Sequence, residues 1–181
     1  MDNSTSSRIW WFRVLFVVLA ISLIFLRLLP LETLPKTWAG PDLLLALIFA
    51  WSVRRPQAIP SLLIAMVVLT EGMMLHRGPG LQAALVVTAA AWLKLTWSYN
   101  PDMSPLREWM IVALAIVGVM LATRFFLIVF FVPLPSLGLH LSQMFMTILI
   151  YPVVAVFSHF MLGLRSFGST DPDYAQTRGR S

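Results

Sequence analysis

The sequence contains no cysteine, and this absence excludes several kinds of chemistry at once. There can be no disulfide, no thiolate nucleophile and no cysteine-ligated metal. Charge is also scarce, because Asp, Glu, Lys and Arg make up 12% of the residues, about half the share found in a soluble domain. Hydrophobic residues make up 59%. The chain is therefore predicted to be an integral membrane protein, with its apolar surface covered by lipid and by neighbouring helices.

The positive net charge of +5 does not indicate nucleic-acid binding. The basic residues are scattered in ones and twos beside apolar runs, which is the pattern that membrane topology requires. No nucleic-acid partner is expected.

The apolar runs predict an all-α, polytopic membrane protein with about six transmembrane helices in one bundle. The predicted helices cover residues 9–29, 41–53, 59–75, 81–97, 109–132 and 139–164. The second, third and fourth are short, so one of them could be re-entrant and the count could be five. Residues 1–165 form the predicted bundle, and residues 166–181 form a flexible polar tail that lacks the apolar content to fold alone.

Basic residues orient this predicted bundle. With both termini in the cytoplasm, the cytoplasmic side holds Arg8, Arg13, Arg54, Arg55, Lys94, Arg107, Arg165, Arg178 and Arg180. The other side holds Arg27, Lys36 and Arg77, and Arg124 lies within the fifth helix. The positive-inside rule favours this orientation over the inverted one.

The stretch PDLLLALIFAWSVRRP, residues 41–56, marks both ends of the second helix. Pro41 is expected at the first helical position, where its missing N–H does no harm, and Asp42 in the first turn, where its charge complements the helix dipole. At the other end, Arg54 and Arg55 are followed by Pro56, which cannot continue a helix.

Four ionisable residues fall in the outer part of the predicted spans: Arg27, Asp42, Glu71 and Arg124. Ionisable residues within a membrane usually mark function, and two acids with two bases at one depth predict a polar cluster that orients helices or offers a docking surface. The alternative is that Arg27 and Arg124 snorkel to the interface while Asp42 only caps its helix. A charge reversal, Glu71→Arg with Arg124→Glu, should recover function if this pair meets.

No catalytic or metal-binding pattern accompanies this cluster. His76, His140 and His159 lie in different segments without the spacing of a metal site. A GxSxG element is also absent. Neither a metal nor a cofactor is expected, and the chain is predicted not to be an enzyme.

The order of these segments resembles the bacterial rod shape-determining MreD family. The second segment matches the family pattern through Pro41, Asp42, Trp51, Arg54, Arg55 and Pro56. The third segment and its turn, LTEGMMLHRGPGL, match more loosely through Glu71, Gly72, Gly78 and Gly80. The family usually has aspartate at the position of Glu71, and its glycine tends to precede the acid.

This resemblance implies a non-catalytic, multi-pass protein of the bacterial inner membrane that takes part in cell elongation. It implies binding to an MreC-like protein, with a RodA-type glycosyltransferase, a class B penicillin-binding protein and the MreB filament as further partners in the complex. The alanine-rich face of the fourth helix could accept a partner helix or pack inside the bundle.

An alternative function is the substrate-binding membrane subunit of an energy-coupling-factor-type vitamin transporter, which resembles this chain in size and helix count. Its pocket would be lined by Asp42, Glu71 and Arg124. The two functions differ in their expected companions, which are wall-synthesis proteins for the first and ATPases with a coupling subunit for the second.

Overall fold

A computed structural model of the chain describes residues 3–29, 39–75, 79–99, 104–134 and 136–161. Six helices and no strand occur in these ranges. The helices are α1 (Asn3–Leu28), α2 (Leu43–Arg54), α3 (Ser61–Met74), α4 (Pro79–Tyr99), α5 (Pro105–Val129) and α6 (Leu137–Met161). The all-α prediction is therefore confirmed.

Within the described ranges, four segments are long and apolar enough to cross a membrane: Ile9–Leu28, Gly80–Ser98, Pro105–Val129 and Leu137–Ser158. The other two helices are shorter. α2 has 12 residues and α3 has 14, which gives lengths of about 18 and 21 Å, against a hydrocarbon core of about 30 Å. The protein is an all-α membrane protein in which two short helices are combined with four long ones.

α2 lies at the centre of the bundle. Its residues from Leu44 to Val53 are all buried, and it packs against α1, α4 and α6. A helix that is apolar on every side has no face suited to water, so it is covered by other helices. The short, apolar second segment thus forms the core around which the longer helices pack.

Contacts along α2 show how its neighbours run. Phe12 near the start of α1 contacts Trp51 near the end of α2, whereas Arg27 at the end of α1 contacts Asp42 at the start of α2. These two helices are therefore antiparallel. We call the two ends of the bundle the Asp42 end and the Arg54 end, after the residues at the two ends of α2.

Local sequence explains where α2 begins and ends. Asp42 is the N-cap, since its side chain accepts a hydrogen bond from the N–H of Leu45. The prediction that Pro41 occupies the first helical position was wrong by two residues, because capping by the Asp42 carboxylate places Leu43 there. The helix ends at Arg54, before Pro56, as the proline predicts.

The polar segment between the fourth and fifth helices is shorter than predicted. α4 continues to Tyr99 and α5 starts at Pro105, whereas the sequence pattern predicted a loop over residues 98–108. Ser104 caps α5 by accepting from the N–H of Arg107, and Pro105 follows at the first helical position. This cap-and-proline pair is a strong start signal, and it moves Glu108 from the predicted loop into the first turn of α5.

α6 contains an internal proline, Pro152. Proline has no N–H, so the carbonyl of Ile148 loses its usual helical donor. The indole N–H of Trp109 donates to that carbonyl at 3.1 Å. A side chain of α5 thus replaces the missing backbone bond of α6 and joins the two helices.

The alanine-rich face of α4 is divided between the core and the surface. Ala83 and Ala90 are buried in the core, whereas Ala84 is exposed. Packing inside the bundle therefore accounts for Ala83 and Ala90. Gly78 and the predicted tail 166–181 lie outside the described residues.

Candidate functional site

Three of the four predicted cluster residues meet at the Asp42 end. They come from three helices: Arg27 from the last turn of α1, Asp42 from the N-cap of α2 and Glu71 from the last turn of α3. Antiparallel packing brings these three helix ends to the same level. We call this group the Asp42 cluster.

One guanidinium group links both carboxylates of the Asp42 cluster. Nη1 of Arg27 lies 3.4 Å from Oδ1 of Asp42 and also donates to Oε1 of Glu71. The side chain of Arg27 is 25% exposed, whereas those of Asp42 and Glu71 are 4% and 6% exposed. The carboxylates are therefore inside the bundle, and the arginine covers them from its edge.

Asp42 also connects α2 to α6 through its backbone. Its N–H donates to the hydroxyl of Thr147 at 2.9 Å, and that hydroxyl donates to the carbonyl of Gln143 at 2.6 Å. The N–H of Ala39 similarly donates to the hydroxyl of Ser142 at 3.2 Å. Because Thr147 is fully buried, these bonds fix the start of α2 against α6. Helix capping and ion pairing therefore coexist at Asp42.

A cavity of about 130 Å³ adjoins the Asp42 cluster. Its polar lining comes from Arg27 and Glu71, and the rest is apolar. The apolar lining residues are Leu23, Ile24, Leu26, Pro41, Leu43 and Leu44. Sites for drug-sized ligands usually measure about 300–1,000 Å³, so this cavity has room for a few water molecules or for a small group.

Arg124 does not join the Asp42 cluster. Among the residues that the structure describes, none forms an ion pair with it. Its Nη1 atom is buried without a hydrogen-bond partner. Glu71 forms an ion pair with Arg27, so the charge reversal expected to recover function joins Glu71 with Arg27 rather than with Arg124.

A second polar group occupies the Arg54 end, and sequence reasoning did not identify it. Nη2 of Arg54 lies 3.3 Å from Oε1 of Glu108, and the hydroxyl of Tyr151 donates to the same oxygen at 2.8 Å. Glu108 and Tyr151 are 8% and 2% exposed. We call these three residues the Glu108 cluster. One signal was available, since the predicted topology already put Arg54 and Glu108 on the same side of the membrane.

The two polar clusters lie at opposite ends of the shortest helix. Because α2 has 12 residues, its ends are only about 18 Å apart, so they cannot both reach the surfaces of a hydrocarbon core about 30 Å thick. Buried charges need partners, and the longer helices supply them from both sides. The clusters therefore fix the position of α2 relative to the longer helices.

Four other residues of the family pattern lie outside the two clusters, namely Trp51, Arg55, Gly72 and Gly80. Trp51 is fully buried and its ring packs against Phe12 and Phe16, while the guanidinium of Arg55 lies 4.9 Å from the centre of the Phe12 ring. Gly72 is buried in α3, and Gly80 is exposed in the first turn of α4.

The arrangement defines an all-α membrane protein that is organised by two buried charged clusters. No group of three or more His, Asp or Glu residues suited to a metal ion occurs in the part of the chain described by the structure. Comparison with known proteins found no matching family model, no matching curated protein and no matching solved structure.

Proposed function

We propose that this chain is a non-catalytic, multi-pass component of the bacterial inner membrane that takes part in cell elongation. It would bind an MreC-like protein and thereby help to link the MreB filament to a RodA-type glycosyltransferase and a class B penicillin-binding protein. The main support for the proposal is the segment from Pro41 to Pro56. This segment bears the resemblance to the MreD family, and it forms the buried centre of the bundle.

The buried clusters suit a scaffold. Each joins helices that are distant in sequence, with α1, α2 and α3 meeting at the Asp42 cluster and α2, α5 and α6 meeting at the Glu108 cluster. Such links hold the outer helix faces in one arrangement. A fixed apolar surface supports binding to other membrane helices, which depends on close packing.

The surface offered to membrane partners is apolar along several helices. On α3, the exposed side chains Leu62, Met66 and Met73 recur on one face, following the spacing of neighbours on a helix surface. α5 and α6 likewise expose Leu114 and Leu149. These faces meet either lipid or a partner helix, and crosslinking can tell the two apart.

Crosslinking from matched positions of α3 tests the proposal directly. A photoreactive residue at Met66, which is 61% exposed, would be compared with one at Ile64, which is fully buried. The tagged chain would be expressed in a rod-shaped bacterium, irradiated and purified in mild detergent. Crosslinks from exposed positions to MreC-like or wall-synthase proteins, with none from Ile64, are expected, together with rounding of cells depleted of the chain.

A second candidate function is substrate binding in a vitamin transporter of the energy-coupling-factor type. The cavity beside Arg27 and Glu71 is the observation that favours it. Its volume of about 130 Å³ is below the usual range of about 300–1,000 Å³ for such ligands. Recovery of ATPases with a coupling membrane subunit in the same purification would replace the first proposal with this one.

A further inference from the structure

α5 exposes one continuous face along its membrane span. The exposed residues on this face follow one another at intervals of three or four, which is the spacing of neighbours on one side of a helix. They are Met110, Leu114, Gly118, Leu121, Phe125 and Ile128. The large side chains among them are between 54% and 62% exposed. We call these residues the α5 face, and none of the helices that the structure describes covers it.

Gly118 lies in the middle of the α5 face, and nothing in the described part of the chain requires a glycine there. A Cβ atom at this position would meet no neighbouring atom within 4 Å. Glycine is also less favourable than alanine in the interior of a helix. In membrane proteins, a glycine on a helix surface allows a second helix to approach closely. Gly118 therefore indicates a helix packed from outside, because lipid chains would cover a larger side chain equally well.

Arg124 borders the α5 face. It comes three residues after Leu121 and four before Ile128, so it lies beside them on the helix surface. It also lies within the span Pro105–Val129, about 7.5 Å from the end of the helix. Its Nη1 atom is buried without a hydrogen-bond partner, and no acidic residue in the described ranges forms an ion pair with it. A charge within a membrane usually has a partner, so the partner of Arg124 is sought outside these ranges.

We propose that the α5 face is the docking surface for a transmembrane helix of another protein, and that this helix carries an aspartate or glutamate that pairs with Arg124. Charge complementarity selects this partner, since arginine and carboxylate form strong, charge-assisted hydrogen bonds. A second copy of this chain is disfavoured, because a twofold axis along the membrane normal would bring the same surface of both copies together and set two Arg124 side chains at one depth. The inference rests on the proposed function, in which the chain binds other membrane proteins, and adds the surface and the chemistry of the partner.

Photocrosslinking from the α5 face in the native membrane tests the inference. A photoreactive residue would replace Leu121 in the tagged full chain, and the crosslinked peptide would be sequenced by mass spectrometry. We expect a peptide from a membrane-spanning segment that contains an aspartate or glutamate. Gly118→Leu should reduce this crosslink to the background level, because the added side chain fills the space that the partner helix needs. Arg124→Gln should lower the yield about threefold, as expected for the loss of one polar contact between membrane helices.

Ala84→Leu is the matched control, since it adds the same side chain at an exposed position of α4, and it should leave the crosslink unchanged. Gly118→Leu should fold normally, because the space around Gly118 is open, and helical ellipticity of the purified variant checks this. Once the acidic residue of the partner is known, its replacement by arginine together with Arg124→Glu should recover the crosslink that each single change weakens.

Several outcomes would overturn the inference. They are crosslinks to lipid alone, a crosslinked peptide from a second copy of this chain, a partner helix without an acidic residue, and an unchanged yield in the folded Gly118→Leu variant. The identity of the partner tests the proposed function separately. An acidic helix from a protein with no part in cell elongation would contradict the proposed function while supporting the docking surface.

Discussion

Replacing Arg27 by methionine should lower the free energy of unfolding more than most other single substitutions of partly exposed residues. Arg27 provides the positive charge shared by Asp42 and Glu71, both of which are nearly fully buried. At the 3.4 Å separation of Arg27 and Asp42, the gross attraction is about 5 kcal/mol with an effective dielectric constant of about 20. Removing one partner of such a buried group typically costs about 3–5 kcal/mol. We expect a loss in this range.

If the loss of stability comes from buried carboxylates without a cation, removing the carboxylate charges should restore it. Once Arg27 is methionine, the remaining cost comes from buried carboxylates that have lost this cation. The triple variant Arg27→Met, Asp42→Asn, Glu71→Gln removes both charges, and asparagine can still cap α2. Since neutral replacements of buried ion pairs are often nearly as stable as the original, the triple variant should recover most of the lost free energy.

The free energy of unfolding can be measured by titrating SDS into mixed micelles and following helical ellipticity. Tryptophan fluorescence adds a second probe, since Trp51, one of seven tryptophans, is buried against Phe12 and Phe16. Two results would refute the reasoning. One is an Arg27→Met variant within about 1 kcal/mol of the wild type, far below the cost of breaking a buried pair. The other is a triple variant no more stable than Arg27→Met.

Four further predictions concern single features of the fold. Asp42→Ala should be about 1 kcal/mol less stable than Asp42→Asn, because only asparagine replaces the cap on Leu45. Tyr151→Phe should cost about 1–3 kcal/mol by removing a donor to buried Glu108. Trp109→Phe should cost about 0.5–1.5 kcal/mol, but less in a Pro152→Ala background, where Ile148 regains a helical donor. Single cysteines at Ser104, the N-cap of α5, and at Ser136, in the turn that follows α5 and directly precedes α6, should react with impermeant maleimide from opposite sides of the membrane, with Ser136 on the outside.

The same unfolding titration checks the first three of these predictions, and maleimide labelling of intact cells checks the fourth. Thr88→Ala is a suitable control for Tyr151→Phe, since the Thr88 hydroxyl is exposed and donates within its own helix, to the carbonyl of Ala84. Equal stability of the two Asp42 variants would exclude capping as a contribution. An unchanged cost of Trp109→Phe beside Pro152→Ala would show that the proline does not free the Ile148 carbonyl. Labelling of both cysteines from one side would contradict a membrane-spanning α5, and the native chain has no cysteine to confuse the result.

Much of the fold could be read from local pattern. Apolar runs predicted six helices, and the structure has helices at all six places. Proline and acid signals predicted the ends of α2 to within two residues. The start of α5 was missed, because the cap at Ser104 lies in a polar stretch that reads as a loop until the cap and Pro105 are considered together.

The candidate site could be read only in part. Charge within apolar runs identified Arg27, Asp42 and Glu71, since such residues are rare in a membrane and stand out in any sequence. The same pattern could not show that Arg27 pairs with both carboxylates and that Arg124 does not. The depth of a residue along a helix does not specify the direction in which its side chain points. Glu108 was not considered, since its partners Arg54 and Tyr151 are distant in sequence.

The sequence alone therefore determined the class of the protein, because hydrophobic runs and scarce charge leave no other environment than a membrane for most of these residues. Tertiary structure decided which charges meet. α2 is too short to carry both of its ends to the membrane surfaces, and the charged groups there are buried, so their charges are satisfied inside the bundle by the longer helices that pack there. That choice depends on packing angles and helix rotation, which arise from the whole set of contacts and from no single segment.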